Sequence, residues 1–332
     1  MKVAVILVNH NTRTLLSNAL QSVYESARAS ALDLSDLPVL VVDNASRDGS
    51  AQVVAEDFPH VRLIALDDNV GFTRANNLAL AKLGFALDAN RTDQVMAARP
   101  DYVLLLNPDA EIMGDALGQM ARFMDENPTA GCCGPRLEYG DGAFQHGAFA
   151  FPSLGQVAID LFPVHKLRLA RRLYDSSFNG RYPRALWDSE HPFAVDFVLG
   201  AALMMRGAAV NLIGGLDEGF FMYCEEMDWC LRLKEAGWDT YAVPYARVRH
   251  HEAQSSRQTP WPAFRNLWTS RVRFYTKHRR QFSPVHLFAV RSLMRIAMRQ
   301  RSKTERRRFA QGRSTGTEAA DALASYAFVA HL

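Results

Sequence analysis

Acidic and histidine side chains fall at three places in the sequence where they could hold a metal ion or move a proton. The first place contains Asp109, which follows an apolar run in the stretch LLLNPDAEI, residues 104–112. A carboxylate at the end of a buried strand suits a divalent cation, although Asn-Pro-Asp is also good turn chemistry. Asp43 and Asn44 follow the run VLVV in the same way, and they could hydrogen-bond a base or ribose or cap the next helix.

The second place is FFMYCEEMDWCLRLKEAGW, residues 220–238, where three acids crowd the first turn of a predicted helix. The positive end of the helix dipole tolerates them, and Asp228 can pair with Arg232 four residues later, which is an adequate structural role for Asp228. Glu225 and Glu226 are flanked by aromatic residues. Carboxylates in such a setting suggest a pocket in which one of them serves as a general base.

The third place is the pair His250 and His251 at the end of a short predicted strand. Neighbouring residues of a strand point to opposite faces, so both cannot serve one site without a kink. We therefore predict that one histidine is a ligand and the other is structural.

The first half of the chain alternates between strand-like and helix-like segments. The predicted strands are 3–8, 39–42, 61–65 and 102–106, and helices are predicted after 12, from about 73 and across 117–124. This pattern indicates a parallel sheet covered on both faces, in which ligands bind beyond the carboxyl ends of the strands. The polar residues at those ends are Asn9, Asn11, Asp43, Asn44, Asn107 and Asp109.

The turn after the first strand, VNHNTRTLL, contains no glycine. It therefore lacks the glycine-rich loop that cradles phosphates in dinucleotide-binding and Walker sites. Phosphates bound at this edge would need another source of positive charge, and a divalent metal with oxygen or imidazole ligands is the obvious one.

The alternation breaks after Gly134, and residues 138–192 show no assignable pattern. Residues 84–100 are predicted to form a surface loop or a short helix. The other predicted elements are a strand at 196–205, a helix at 225–236, short strands at 239–243 and 246–250, and basic helices beyond 262.

Length and composition indicate a globular protein of 332 residues, 48% hydrophobic and 22% charged. No run approaches the roughly 18 uninterrupted apolar residues of a membrane span. The start MKVAVILVNHN predicts a first strand and not a signal peptide. The four cysteines contain no C-x-x-C pair, which argues against a zinc knuckle and is typical of a reduced, cytosolic protein.

Positive charge is concentrated near the end of the chain. Residues 265–313 contain fifteen Lys or Arg and one acid, Glu305. Such a block usually meets a membrane surface, a nucleic acid or a phosphorylated lipid, and the alternative is a solvated or packed helix with arginines at its rim. Part of it is typical of an amphipathic helix on an anionic membrane. Its apolar residues are Leu287, Phe288, Val290, Leu293, Met294 and Ile296–Met298, interleaved with Arg291, Arg295 and Arg299.

Eight motifs in order resemble the inverting GT-A glycosyltransferases of family 2, which includes bacterial rhamnosyltransferases and galactofuranosyltransferases. The resemblance runs from about Val3 to about Ser256 and more weakly to Arg280. The motifs are VNHN, VVDNASRDGS, DNVGFTRANN, YVLLLNPDAEI, GPRL, DFVLGAALMMR, GGLDEGFFMYCEEMDWCLRLKEAGW and ARVRHH. The resemblance implies an α/β, Rossmann-like GT-A fold with a mostly parallel sheet. The implied domains are 1–260, with a donor half 1–135 and an acceptor half 136–260, and a basic helical region 261–332.

The resemblance also implies roles for individual residues. Asp109 stands in the family's D-x-D metal motif, and His250 matches the histidine that completes metal coordination. Glu226 falls at the position of the catalytic base, with Glu225 and Asp228 as neighbouring alternatives. The residues implied to contact the nucleotide-sugar are Asn9, Asn11, Asp43, Asn44, Gly71, Phe72, Arg74, Asn76, Asn107 and Gly200.

Two positions depart from the family pattern. Asn107 replaces the first acid of D-x-D, so Asp109 is the one anionic ligand of that motif, and we interpret this as the mark of a rhamnosyltransferase-like subgroup. Glu226 replaces the usual Asp, and its longer stem moves the carboxylate oxygen.

These roles imply a hexosyltransferase that uses Mn²⁺ or Mg²⁺ and a nucleotide-diphosphate sugar, with dTDP-L-rhamnose as the best candidate. The implied acceptor is a cell-envelope glycan or a lipid-linked glycan. The implied setting is the cytoplasm, with the basic helices on the inner face of the cell membrane and with no nucleic-acid partner. The alternative is a catalytically decayed GT-A domain that binds nucleotides or glycans, and a nucleotidyltransferase is disfavoured by the missing glycine-rich loop.

Overall fold

The computed structural model describes residues 2–88, 99–162, 176–252 and 258–332. Most of the predicted loop or short helix at 84–100 and part of the stretch 138–192 lie outside these residues. The described strands are β1 Val3–Asn9, β2 Val39–Asn44, β3 Arg62–Leu66, β4 Tyr102–Leu106, β5 Ala110–Met113, β6 Ala130–Glu138, β7 Phe144–Gln145, β8 Ala148–Phe149, β9 Phe193–Val195, β10 Phe197–Val198, β11 Ala202–Arg206 and β12 Asp239–His250. The described α-helices are α1 Arg13–Ala29, α2 Ser50–Asp57, α3 Phe72–Lys82, α4 Ala116–Glu126, α5 Leu154–Leu161, α6 Arg184–Asp188, α7 Gly207–Ile213, α8 Glu225–Glu235, α9 Pro260–Lys277, α10 Pro284–Ala310 and α11 Gly316–His331.

The chain divides into two compact units. The first contains the described residues within Met1–Ala150, Tyr182–Phe221 and Glu225–Ser255, and the second contains those within Phe151–Arg181, Met222–Cys224 and Ser256–Leu332. The predicted division into domains at residue 260 stays a prediction.

The main sheet of the first unit has the order β3-β2-β1-β4-β11-β6-β12-β5 among the described strands. Strands β3, β2, β1 and β4 are parallel neighbours, which confirms the four strands predicted from the first half of the chain. Every residue of β1, β2 and β4 is buried, as expected for apolar strands covered on both faces. Helices α1 and α4 contribute Leu16, Leu20 and Met120 to the core beside them.

The prediction of one strand over 196–205 is wrong. The segment forms β10, which pairs with β8 in a separate two-stranded sheet, and β11, which enters the main sheet between β4 and β6. The two halves of one apolar run thus pair with different strands. Gly200 lies between the halves, and a glycine inside such a run weakens a strand. Since Ala202 lies opposite Leu106, the connection 199–201 is placed at the carboxyl end of β4.

The two short strands predicted at 239–243 and 246–250 form one strand, β12, with a bulge inside it. Along β6 the pairing advances by one residue, from Pro135 to Arg136, while β12 advances from Val243 to Arg247. The extra residues begin with Pro244, which has no N–H to donate to the ladder. Beyond the bulge β12 also pairs with β5, and this pairing sets His250 opposite Ala110.

The helical region implied for 261–332 is confirmed, and its last helix is α11, Gly316–His331. The helix begins with a capping box, in which the Thr315 hydroxyl accepts from the backbone N–H of Glu318 and the Glu318 carboxylate accepts from the N–H of Thr315. This reciprocal pair is the T-x-x-E pattern typical of a helix start, so the beginning of α11 could have been predicted from the sequence.

Arg206, at the end of β11, is predicted to be a major source of stability. Its guanidinium donates to the carbonyl oxygens of Met124 at 2.5 Å, Asn127 at 3.0 Å and Ala130 at 2.8 Å, and so ties the end of α4 to the sheet. Because Arg206→Met leaves these carbonyls without a donor, we expect the free energy of unfolding to fall by about 2–4 kcal/mol. Denaturant unfolding followed by circular dichroism measures this change.

The matched control is Arg122→Met, since Arg122 is 48% exposed and pairs with the exposed Asp115. An exposed ion pair contributes about 0–1 kcal/mol, so this variant should unfold almost like the wild type. Equal effects of the two substitutions would contradict the role given to Arg206.

Candidate active site

The ends of β1 and β2 are joined by a buried carboxylate. The Asn9 side-chain amide donates to Asp43 at 2.9 Å and to the Ser46 hydroxyl at 3.0 Å, and the N–H of Ser46 donates to the other Asp43 oxygen at 3.1 Å. Asp43 is 3% exposed and Asn9 is fully buried. The chain therefore fixes the orientation of Asp43, and its predicted contact with a nucleobase stays a prediction.

Two residues at the same strand ends have left-handed backbone conformations. Asn11 has φ of 54° and Ala45 has φ of 62°. The Asn11 side chain accepts from the N–H of Arg47 at 2.8 Å, which holds the two turns together. Positive φ at a residue with a side chain costs about 1–3 kcal/mol and tends to occur at ligand-binding edges.

Asn44 holds the segment that leads into α3. Its side-chain oxygen accepts from the N–H of Val70 at 2.8 Å, and its amide donates to the Asn69 side chain at 2.9 Å. Gly71, with φ of 87°, lies so close to Phe221 that a Cβ would be 2.6 Å from its carbonyl oxygen. The N–H of Phe72 donates to that same oxygen at 2.8 Å, so the structure brings Asn44, Gly71 and Phe72 together.

The remaining predicted donor-site residues of α3 occupy different environments. Arg74 is exposed in the first turn of the helix. Asn76 is 1% exposed, and its side-chain amide donates to the carbonyl of Phe72 at 3.0 Å. This arrangement favours a structural role for Asn76, while Arg74 is available to a ligand in solvent.

Asp109 and His250 meet at the edge between β5 and β12. The His250 Nε2 atom lies 3.4 Å from Asp109 Oδ1, and its Nδ1 atom lies 3.1 Å from the side-chain oxygen of Gln145. The Gln145 oxygen can accept a hydrogen from Nδ1, and in that tautomer the Nε2 lone pair faces the carboxylate. A shared cation satisfies two such facing acceptors, and the neutral imidazole held through its other nitrogen is the usual form of a metal ligand.

This donor set fits a Mn²⁺ or Mg²⁺ ion with part of its shell supplied by other molecules. Within 2–88, 99–162, 176–252 and 258–332, no three His, Cys, Asp or Glu side chains converge closely enough to hold a metal alone. Carboxylate and imidazole suit these cations, which commonly keep waters or phosphate oxygens as further ligands.

His251 faces elsewhere, as expected for the neighbour of a ligand on a strand. Its Nε2 atom lies 2.9 Å from a carboxylate oxygen of Glu111, and its N–H donates to the carbonyl of Asp109 at 2.9 Å. His251 therefore stabilises the β5–β12 edge, and His250 is the histidine that lies beside Asp109, so its predicted role as a metal ligand stays a prediction.

The paired glutamates at the start of α8 have unequal surroundings. Glu225 is 5% exposed, and the Oε2 atoms of both glutamates are shielded from solvent. Burial, followed by the charges of Glu226 and Asp228, raises the pKa of Glu225 well above its ordinary value. Glu226 is only partly buried and lies beside Gly200, where an added Cβ would be 3.9 Å from its Cβ and Cγ. The two residues directly before Glu225, Tyr223 and Cys224, have left-handed backbone conformations, with φ of 71° and 66°.

Asp228 forms the predicted pair with Arg232. Its carboxylate is fully buried and accepts from the guanidinium at 2.9 Å, and Arg232 also donates to the carbonyls of Ile213 and Gly215 at 2.6 and 2.8 Å. The pair therefore fixes the loop before α8. This geometry favours the structural role that the sequence allowed for Asp228 over its alternative role as a base.

Asp109 and Glu226 are connected through residues at the paired ends of β4 and β11. The N–H of Asn107 donates to the carbonyl of Ala201 at 2.9 Å, one residue after Gly200, which borders Glu226. Asn107 is in turn two residues before Asp109. The predicted metal ligands and the predicted base therefore lie at one end of two paired strands.

Two residues of the site had not been predicted from the sequence. Gln145 orients His250, but it lies in the unassigned stretch 138–192, which offered no periodic signal. Asn77 accepts from the N–H of Leu216 at 2.9 Å and donates to its carbonyl at 2.8 Å, which anchors the loop before α8. Asn77 could have been found in the sequence, because it is a polar residue on the face of α3 that the helical spacing predicts to be buried.

Comparison with known proteins identifies the relatives of this chain. The family described as "Glycosyltransferase like family 2" matches residues 2–268. The N-acetylglucosaminyl-diphospho-decaprenol L-rhamnosyltransferase of Mycobacterium tuberculosis is 33% identical over 225 residues, which are 67% of this chain and 69% of the relative. Rhamnosyltransferase WbbL of Escherichia coli is 25% identical over 213 residues, 63% of this chain and 71% of the relative.

A mannosyltransferase from Pyrobaculum calidifontis, solved with GDP-Man and Mn²⁺, has a similar fold. The TM-score is 0.53 at 16% sequence identity, and the match covers 100% of this chain and 81% of that chain. The likeness confirms the predicted α/β GT-A fold.

Glu225 is predicted to make stability depend on pH. A raised folded-state pKa means that the folded protein binds more protons, so the contribution of this carboxyl to stability is present at low pH and is lost as pH rises above the ordinary pKa near 4.5. Glu225→Gln removes the ionisation. We expect its free energy of unfolding, relative to the wild type, to rise with pH by up to about 1.4 kcal/mol per unit.

Denaturant unfolding between about pH 5 and about pH 8 measures this dependence. Glu25→Gln is the matched control, since Glu25 is exposed on α1 and accepts a hydrogen bond from Gln21 that an amide oxygen also accepts. A difference between Glu225→Gln and the wild type that does not change with pH would contradict a buried, high-pKa carboxyl.

Proposed function

Because the chain belongs to the glycosyltransferase-like family 2, we propose that this enzyme moves a sugar from a nucleotide-diphosphate donor to an acceptor hydroxyl with a divalent metal and with inversion at the anomeric carbon. The observation that carries the metal-dependent part is the Asp109–His250 contact of 3.4 Å, with Gln145 behind the imidazole. Two acceptors that face each other in this way suit a cation that also binds a diphosphate.

The proposed donor is dTDP-L-rhamnose, and the proposed acceptor is a cell-envelope or lipid-linked glycan. Two relatives are named as rhamnosyltransferases, and the name of the Mycobacterium tuberculosis relative specifies an N-acetylglucosaminyl-diphospho-decaprenol acceptor. The subgroup resemblance at Asn107-Pro108-Asp109 supports the same choice.

The proposed reaction is a single displacement. Asp109 and His250 would hold the ion, and a bound ion would supply positive charge to offset the charge that develops on the departing nucleoside diphosphate. Glu226 accepts the proton of the acceptor hydroxyl while that oxygen bonds to the anomeric carbon and the bond from carbon to diphosphate oxygen breaks. The products are the inverted glycoside, the nucleoside diphosphate and a protonated Glu226, which then loses its proton to water.

The unequal pair of glutamates supports Glu226 as the base. Burial, with the charge of Glu226 second, raises the pKa of Glu225, so the neutral form of this carboxyl is favoured more than in an exposed glutamate. Glu226 is the more accessible of the two, and the absence of a side chain at Gly200 leaves space beside it for an acceptor. The different surroundings of the two carboxyls therefore support Glu226, and not Glu225, as the proposed base.

The proposed setting is the cytoplasmic side of a membrane, where lipid-linked acceptors are available. Searched over the described parts of the chain, the helices include none that is long and apolar enough to cross a bilayer. Attachment through the basic C-terminal helices is part of the proposal.

A donor panel tests the reaction. The protein is incubated with Mn²⁺, one nucleotide-sugar at a time and lipid-linked or soluble glycan acceptors, and released nucleoside diphosphate is measured together with the product mass. Release that depends on both dTDP-L-rhamnose and an acceptor supports the proposal. Binding of a nucleoside diphosphate without turnover of any donor would instead support a decayed binding module.

Glu226→Gln is expected to lower turnover by about 10²–10⁴-fold, because general-base catalysis contributes that much. Donor affinity should stay within about threefold of the wild type, because the amide keeps the shape of the side chain and the base acts only in the chemical step. Glu225→Gln is the matched control and should retain most of the activity. Full activity of Glu226→Gln, or a larger loss in Glu225→Gln, would place the base elsewhere.

Nucleotide binding is expected to require the metal. Chelation with EDTA or the change Asp109→Asn should weaken binding of thymidine diphosphate, and Gln145→Leu should lower metal affinity by about 10–100-fold because it releases the imidazole. Calorimetry with and without Mn²⁺ measures both effects. The control is Glu25→Gln, an exposed acid on α1 whose hydrogen bond from Gln21 an amide oxygen also accepts, and equal binding by all variants would refute the metal site.

A further inference from the structure

Helix α10 has one apolar face buried and another exposed. Val285, Phe288 and Ile296 are 75%, 68% and 55% exposed. The sequence analysis assigned several α10 residues to a membrane-facing stripe, but the structure buries most of them to 9% or less: Leu287, Val290, Met294, Ala297 and Met298. Packing within the protein therefore accounts for the apolar character of the buried residues. The exposed residues Val285, Phe288 and Ile296 have no such packing and are available to another partner.

The exposed apolar residues share their side of α10 with cationic ones. At 100° per residue, Val285, Phe288, Ile296, Arg299 and Lys303 lie within a narrow sector of the helix. Apolar side chains occupy the first turns of this sector, and basic side chains occupy the later turns. At 27 residues, α10 is about 40 Å long, enough to present both kinds of contact to a flat surface.

The basic end of this sector opens into a cleft between α10 and α11. The cleft has a volume of about 750 Å³, and its cationic lining consists of Arg295, Arg299, Lys303, Arg306 and Arg307, while His331 also lines it. Met298 and Tyr326 contribute apolar surface, and the described lining residues include no acid. A second recess of about 490 Å³ shares Arg295 and extends the surface towards Phe288.

The positive charge of this cleft is not balanced by acidic side chains. Among the described residues, Arg308 pairs with Glu305 at 3.3 Å, whereas the five Lys and Arg side chains that line the cleft form no ion pair. Five like charges within about four turns repel one another, and an external anion would offset that repulsion.

We propose that this surface binds the phosphate headgroups of anionic phospholipids, with Val285, Phe288 and Ile296 inserted among the acyl chains. The exposed apolar residues select a membrane over a nucleic acid, because they gain nothing from a phosphate backbone but are stabilised at a lipid interface. The inference rests on the proposed membrane setting and adds the surface and the class of lipid that would serve it, while the transfer reaction at Asp109 and His250 does not depend on it.

Vesicle sedimentation of the full chain tests the site. Vesicles contain phosphatidylcholine alone or with about 30% phosphatidylglycerol, at about 0.1 M salt so that charges remain effective. The triple variant Arg295→Glu, Arg299→Glu and Lys303→Glu should partition about 100-fold more weakly onto the anionic vesicles than the wild type. The double variant Phe288→Ser and Ile296→Ser should lose the part of the binding that resists about 1 M salt, because that part is apolar.

The matched control reverses three exposed basic residues in other elements: Arg28→Glu, Arg62→Glu and Lys82→Glu. It changes the net charge by the same amount and should partition almost like the wild type. Circular dichroism confirms that each variant is folded. Equal loss in both triple variants would show a non-specific charge effect and overturn the site.

Other outcomes also overturn the proposal. These are equal binding of the wild type to neutral and anionic vesicles, tighter binding to a DNA duplex than to the vesicles, or saturable binding of inorganic diphosphate without sedimentation. The measurement uses neither donor nor turnover. Failure of lipid binding would therefore leave the transfer reaction intact, and failure of transfer would leave the lipid site intact.

Discussion

The contact between Asp109 and His250 depends on the way the second half of the chain joins the sheet. Strand β12 must pass its bulge at Pro244 before it can pair with β5 and set His250 opposite Ala110. The same edge carries His251 and Glu111, which hold the two strands together beside the site. A carboxylate and an imidazole nitrogen 3.4 Å apart are thus imposed by backbone register, and the side chains need little freedom to find each other.

The first half of the fold could be predicted because its signals are local. Continuous apolar strands such as β1 and β4 end in polar residues, and the helices between them repeat at their own period. The run from 196 to 205 could not be divided in the same way, since both of its halves are apolar and only the partners differ. The strand β8 and the β4–β6 pair that receive them are set by tertiary contacts.

Only part of the candidate site could be predicted from the sequence. The rest depends on contacts between side chains that are distant in the sequence. The family motifs located Asp109, His250 and Glu226, and helical spacing alone predicted the Asp228–Arg232 pair. No pattern in the sequence could indicate that Gln145 stands behind His250, because the residues around it have no period. The raised pKa of Glu225 also depends on burial, which becomes known only when the chain is folded.

The close approach of Gly71 to Phe221 couples two segments of the backbone. With the carbonyl of Phe221 bonded to the N–H of Phe72, and no space for a Cβ at Gly71, the two segments cannot shift independently. One segment belongs to the predicted sugar-nucleotide site, and the other runs four residues ahead of Glu225. A displacement of the backbone at 71–72 is therefore coupled to the backbone that enters α8, and a ligand that moved one of these segments would also move the other.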